Sequence, residues 1–393
     1  MNHSIYHSKT LYNCFLKLHL YRCFSHTVMK HILAIVISVF SAGYHGKTVD
    51  FEKNSPCHRT TIAHFLNHGK WDHGNLENMI KAAVIHTVYG ESRRTKLPVF
   101  CMIDDTISSK ARPSSQALHP MEDAYFHQSH LKKKMDYGHQ AVAVMLSCNG
   151  LVLNYSIIMY DKTKSKIKLV QDIADELPVP PCISYLLCDS WYTCPKVMDA
   201  FVVKGFYTIG ALRTNRIFYP CGIRQKISSF ASALEKTDGN VRLVTVGSRQ
   251  YYIHVSEVGL NGIENAVVIL SYPKDAFGVP KALRAFLCTD VSLDAENILS
   301  VYTERWPVEV FFRESKNVLA LDRYQIRTAQ GIRRYWLLMS LCHLICCTEA
   351  EGNLPFEKGF TILQKKVQQE KISYIYECGR KHIPLEHILD MVG

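Results

Sequence analysis

The 393-residue chain has no CxxC pair, no cysteine and histidine set at zinc-finger spacing, and only four tryptophans, Trp71, Trp191, Trp306 and Trp336. The first two absences exclude a zinc finger and a thioredoxin-like redox motif. The fourteen cysteines then read as reduced thiols of a cytoplasmic protein. Even Cys342, His343, Cys346 and Cys347 fall on an apolar, helix-like run, where small buried thiols are expected in place of a metal site. Long apolar runs are missing too. Ile32 to Phe40 is far short of the ~20 residues a membrane span needs, and the thirty residues before it are too long a lead for a signal peptide. It reads as a buried helix, with no membrane partner. Acids are scarce relative to bases, 35 Asp plus Glu against 46 Lys plus Arg, and the formal charge of +11 suits a polyanionic partner. With 47% apolar and 21% charged residues, disorder is excluded and a packed core is expected.

What is present is the stretch Val301 to Leu321, VYTERWPVEVFFRESKNVLAL. On a helix turning about 100° per residue, Tyr302, Arg305, Glu309 and Lys316 share an arc of roughly 60°. Val308, Val310, Phe311, Val318 and Leu319 flank that face, so a carboxylate and two cations are expected beside a buried surface. Four fixed identities at fixed spacings arise by chance at on the order of one start site in 10⁵. Pro307 lacks an amide hydrogen and is expected to kink this helix or to start a new one. Asp294 is placed to cap the helix that leads in.

Two upstream acids share a setting. Val99 to Ile103 (VFCMI) is a short apolar run that ends in Asp104, Asp105 and Thr106, and Ile183 to Cys188 (ISYLLC) runs straight into Asp189. Each run fits a buried strand that delivers an acid at its C-terminal end, and neighbouring parallel strands bring two such acids to one point. The residues alone do not choose between Asp104 and Asp105. Between them Asn149 and Gly150 separate two β-prone segments, Gln140 to Leu146 and Leu151 to Tyr160, and predict a hairpin. Helices are expected over Val170 to Leu177 and Pro195 to Lys204, and strands over Phe206 to Leu212, Val241 to Val246, Tyr251 to Val258, Ala266 to Tyr272 and Arg284 to Cys288. The polar stretch Ser109 to Asp136, with Lys110, Arg112 and Lys132 to Lys134, reads either as a loop lying near DNA or as a solvated charged loop. Arg323, Arg327, Arg333 and Arg334 are consistent with a basic face toward phosphate.

Tyr, two residues, Arg, three residues, Glu, six residues, Lys resembles, without a gap, the signature of one group of bacterial insertion-sequence transposases of the DDE class. The resemblance covers about Val99 to Arg327. It implies a ribonuclease-H-like domain in which Asp104, Asp189 and Glu309 are the catalytic, metal-binding acids, Asp104 being selected because it stands two residues before Thr106. It implies that Tyr302, Arg305 and Lys316 contact DNA, that the cofactor is Mg²⁺ with Mn²⁺ able to substitute, and that the partners are double-stranded transposon terminal inverted repeats and target DNA. A homodimer on paired ends, in a prokaryotic cytoplasm and associated with the nucleoid, follows from the same resemblance. Related transposases use an N-terminal helical region to recognise the end repeat, and some hold a flipped base with a Trp from a β insertion. The corresponding segment here has no Trp, and Tyr251, Tyr252 and Phe218 are the aromatics that remain.

The expected architecture is an α/β, ribonuclease-H-like mixed sheet flanked by helices, interrupted by an inserted β subdomain and preceded by a helical region. Its boundaries are 1–98 for the N-terminal helical region, 99–214 and 282–348 for the two parts of the catalytic core, 215–281 for the insertion and 349–393 for a C-terminal tail. Two other readings share the three acids: a structure-selective DNA nuclease, and a decayed transposase that only binds DNA.

Overall fold

The computed structural model describes residues 8–55, 57–118, 120–129 and 132–392. Five helices come first: α1 (Lys9–Lys17), α2 (His26–Val39), α3 (Thr48–Glu52), α4 (Arg59–Asn67) and α5 (His73–Thr95). Ser8, Ser25 and Asp72 cap α1, α2 and α5 by accepting backbone N–H groups, which stops each helix from fraying at its start. Ile32 to Val39 are buried, so the apolar run is the core helix its composition predicts.

The sheet begins with β1 (Val99–Ser109), β2 (Tyr125–Ser129), β3 (Lys134–Cys148) and β4 (Leu151–Tyr160). Asn149 and Gly150, at φ +51° and +77°, form the tight turn of the β3–β4 hairpin that Asn-Gly predicts. Then follow α6 (Lys166–Glu176), β5 (Ser184–Cys188), α7 (Pro195–Val202) and β6 (Phe206–Leu212). The segment after β6 supplies β7 (Ile217–Phe218), β8 (Gln225–Lys226), α8 (Ile227–Ala231), β9 (Val241–Val246), β10 (Arg249–Leu260) and β11 (Ile263–Pro273), after which β12 (Arg284–Cys288) returns to the sheet. Helices α9 (Ala295–Thr303), α10 (Pro307–Asn317), α11 (Ala329–Thr348), α12 (Phe356–Arg380) and α13 (Leu385–Val392) complete the chain.

All twelve strands belong to one mixed sheet of order β2-β3-β1-β5-β6-β12-β11-β10-β7-β8, with β4 on β3 and β9 on β10. The strands between 217 and 273 thus continue the sheet, through the β11–β12 pairing. Helices cover both faces. α9 and α10 bury Ile298, Val308 and Phe311 against Met102, Ala143 and Leu187 on one face. On the other, α5 and α11 pack over β4, and the N-terminal helices enter that same apolar cluster through residues such as Phe15, Ile35 and Leu66. This is the expected ribonuclease-H-like mixed sheet flanked by helices, with a helical N-terminus.

Two expectations are corrected. The polar stretch 109–136 contains β2, an edge strand whose residues Tyr125, His127 and Gln128 gave no apolar alternation. The four arginines after α10 do not make one basic face. Arg334 is buried, its guanidinium donating to the carbonyls of Phe65, Leu66, Gly69 and Trp71 at 2.8–3.2 Å. Arg333 instead pairs with Asp123 and Asp161. The carbonyls at the end of α4 need donors, and a buried guanidinium has five to give.

Candidate active site

The site lies where β5 stops and β1 continues. The two strands pair in parallel from Val99 with Ser184 to Ile103 with Cys188, so Asp104 and Asp189 each stand one residue past the last paired position, side by side. Because β5 is buried throughout and β1 is mostly buried from Val99 to Ile103, the acids emerge from apolar surroundings. Burial raises the Asp104 carboxyl, against the pull of Arg305, to about 6, and the neighbouring Asp189 adds to the rise. Asp189 is held by its own turn, with Oδ1 accepting the N–H groups of Trp191 and Tyr192 at 2.9 and 3.1 Å.

Adjacent Asp105 points elsewhere, since successive strand residues face opposite sides. Gln140, Lys166 and Tyr192 all donate to its carboxylate, at 2.6, 2.7 and 2.9 Å. Asp105 is therefore saturated by a structural network, while Asp104 faces the C-terminal helices.

The signature stretch is not one helix. α9 ends at Thr303 and α10 begins at Pro307, with Arg305 in the turn between them. Tyr302 therefore lies on α9, and only Glu309 and Lys316 share a helix face. Proline at the first helical position explains the break: it fits the start of α10 and cannot donate into a continuing α9. The side chains converge even so. Arg305 donates from Nη1 to Asp104 Oδ2 at 3.1 Å and from Nη2 to Glu309 Oε1, bridging an acid of the sheet and an acid of the helix. The Tyr302 hydroxyl lies 3.5 Å from the carbonyl of Cys188, and burial pushes its pKa up to about 12. Lys316 Nζ donates to Thr106 Oγ1 and to the Ile107 carbonyl at 2.7 and 3.0 Å, and burial lowers its pKa.

All six residues singled out in the sequence thus gather where β5 ends beside the middle of β1. Among the described residues no three His, Cys, Asp or Glu side chains form a ready-made metal cluster, and Arg305 stands between Asp104 and Glu309. The donor chemistry nonetheless fits a hard divalent cation: the groups offered are carboxylate oxygens, and the partly buried Asp104 lacks enough positive charge to stay fully ionised near pH 6. Missed by sequence reasoning were Gln140, Lys166 and Tyr192, which fix Asp105; they are distant in sequence and carry no local signal.

A mixed sheet of this order, with one acid midway along β1, a second beside it just past the end of β5 and a third on α10 after the last strand, defines a ribonuclease-H-like enzyme. Residues 96–345, from just before β1 to the last turns of α11, match the transposase DDE domain family, and the chain belongs to that family. No curated protein matches the chain. Members of the family are metal-dependent enzymes that act on DNA, and no described helix here is long and apolar enough to cross a membrane.

Proposed function

We propose that the chain is a DNA transposase that cuts the ends of its own element at terminal inverted repeats and joins them to target DNA. One observation supports this reading above the others: the parallel register that sets Asp104 beside Asp189, with Arg305 linking Glu309 to the pair. In this reading Asp104, Asp189 and Glu309 are the catalytic acids and the ligands of Mg²⁺, with Mn²⁺ able to replace it. Bound there, a pair of such ions supplies activation of the attacking oxygen, stabilisation of the leaving oxygen and charge for the phosphorane-like transition state.

The chain's own residues do the positioning. Arg305 exchanges its two carboxylates for a DNA phosphate, and its planar guanidinium then holds that phosphate in line with the attack. Tyr302 and Lys316 contact the backbone on either side. The nucleophile is water in the nick and the freed 3′ hydroxyl in strand transfer. The helices of residues 1–98 recognise the end repeat, residues 99–214 and 282–348 form the catalytic core around the insertion 215–281, residues 349–393 form the tail, and two copies pair the ends in the cytoplasm.

The test is to incubate the purified protein and its Asp189→Ala variant with labelled element-end duplex and Mg²⁺ and to map nicks. Metal-dependent nicks at the repeat boundary, lost in the variant, are expected. Cleavage that ignores the end sequence points to a structure-selective nuclease, and binding without cleavage points to a decayed copy.

A further inference from the structure

β1 outruns its neighbour. β5 ends at Cys188, opposite Ile103, while β1 stays paired with β3 as far as Ser109 with Gly138, and β2 pairs with β3 from Tyr125 with Gly138 to Ser129 with Lys134. Beyond the acids, β1 and β3 therefore run on as a paired ribbon to Ser109 and Gly138, where β2 takes over from β1 as the partner of β3 and carries the ribbon to Lys134. From Asp104 to Ser109 it covers five residues, roughly 17 Å at the rise of a strand.

Its β1 edge is clamped from Thr106 to Lys110. Lys316 caps Thr106 and the Ile107 carbonyl, and Lys110 Nζ donates to the carbonyls of Asp322 and Tyr324 at 2.6 and 2.9 Å, with the Tyr324 ring 3.6 Å beneath it. Lys132 reaches back from the tip to Ser109 Oγ at 2.8 Å and to Asp136 at 2.8 Å, close enough to Lys316 for the two ammonium groups to repel. Lys132, Lys133 and Lys134 are exposed, as is Arg112. Between Tyr125 and Gly138 Asp136 is the sole acid, and Lys132 and Ser109 already engage it.

The geometry points to this ribbon as a rail for DNA backbone on one side of the scissile phosphate, with Lys316 as its inner contact and Lys132, Lys133 and Lys134 as its outer ones. Lysines are point charges on flexible stems and read phosphate without regard to base, so the rail carries the strand and specifies no sequence. Its length matches about five nucleotides at 3.4 Å per phosphate. The inference rests on the proposed reaction at Asp104 and adds where the DNA beyond that point runs.

The experiment uses the full chain, the K132Q/K133Q/K134Q variant and the K132R/K133R/K134R variant. Binding is measured by fluorescence anisotropy across a salt series, without divalent metal. Three duplexes are compared: one extending ten base pairs to either side of the cleavage position, and two truncated at that position from opposite sides. The glutamine variant should bind the long duplex roughly tenfold more weakly, with the salt slope reduced by about three. It should bind one truncated duplex as the unsubstituted chain does, and the arginine variant should behave as unsubstituted throughout. Unchanged affinity and slope in the glutamine variant, with the unsubstituted chain cutting normally, overturns the rail and leaves the reaction standing. An unsubstituted chain that neither binds nor cuts end duplex overturns both.

Discussion

Arg305 is the residue on which the site turns. It neutralises Asp104 and Glu309 at once, the task that the proposed function gives to a divalent cation held by the same carboxylates. Removing it leaves two acids facing one another with burial already raising the pKa of one. Arg305→Ala is therefore expected to bind Mn²⁺ about tenfold more tightly than the parent chain in the absence of DNA. Calorimetric titration reads this directly, and nicking should fall in the same variant because the phosphate loses its bidentate partner. His343 yields a pH prediction. It is buried between the Phe311 edge and the stacked Phe356 ring, and burial lowers its pKa to about 3. Its folded-state pKa is depressed, so the unfolded chain takes up a proton first. Stability is fully present above about pH 6.5 and declines as the pH falls from there toward 3, at about 1.4 kcal/mol per pH unit from this group. Thermal melts across pH 4–7 should show that decline, and His343→Leu should flatten it.

At the scale of elements, close backbone approach decides what the ribbon tolerates. A Cβ at Gly138 would sit 2.1 Å from the Ser108 carbonyl oxygen, so Gly138→Ala must push β3 away from β1 where the ribbon leaves the sheet. The expected cost is roughly 2 kcal/mol, visible as a lowered denaturation midpoint, together with weakened binding of long duplex. Elements also show where sequence reading succeeds. β9 and β12 occupy the residues their apolar runs predict, and the Asn149-Gly150 turn follows from local chemistry, since it needs two residues that accept positive φ. The break at Pro307 was legible for the same reason. By contrast β2 is held by its neighbour's ladder, and its own side chains carry no pattern.

Across the whole molecule, the N-terminal helices and the catalytic sheet share one apolar cluster, with Arg334 of α11 tied to the end of α4 by four hydrogen bonds and lying 4.7 Å over the Trp71 ring. Residues 8–95 and the sheet should therefore melt in a single calorimetric transition. Arg334→Leu strands four carbonyls and is expected to cost about 3 kcal/mol or more, lowering that transition as a whole. What the sequence by itself determined were the features whose cause is local: the two apolar runs that lead into Asp104 and Asp189, although β1 runs on past Asp104 to Ser109, the signature spacing around Glu309, the turn at Asn149 and the break at Pro307. The tertiary structure alone decided that the two strands lie side by side in parallel, that Arg305 joins acids 205 positions apart along the chain, that Asp105 is consumed by Gln140, Lys166 and Tyr192, and that Arg334 turns inward. Those outcomes depend on which elements pack together, and no local preference encodes a partner that lies 35 or more residues away.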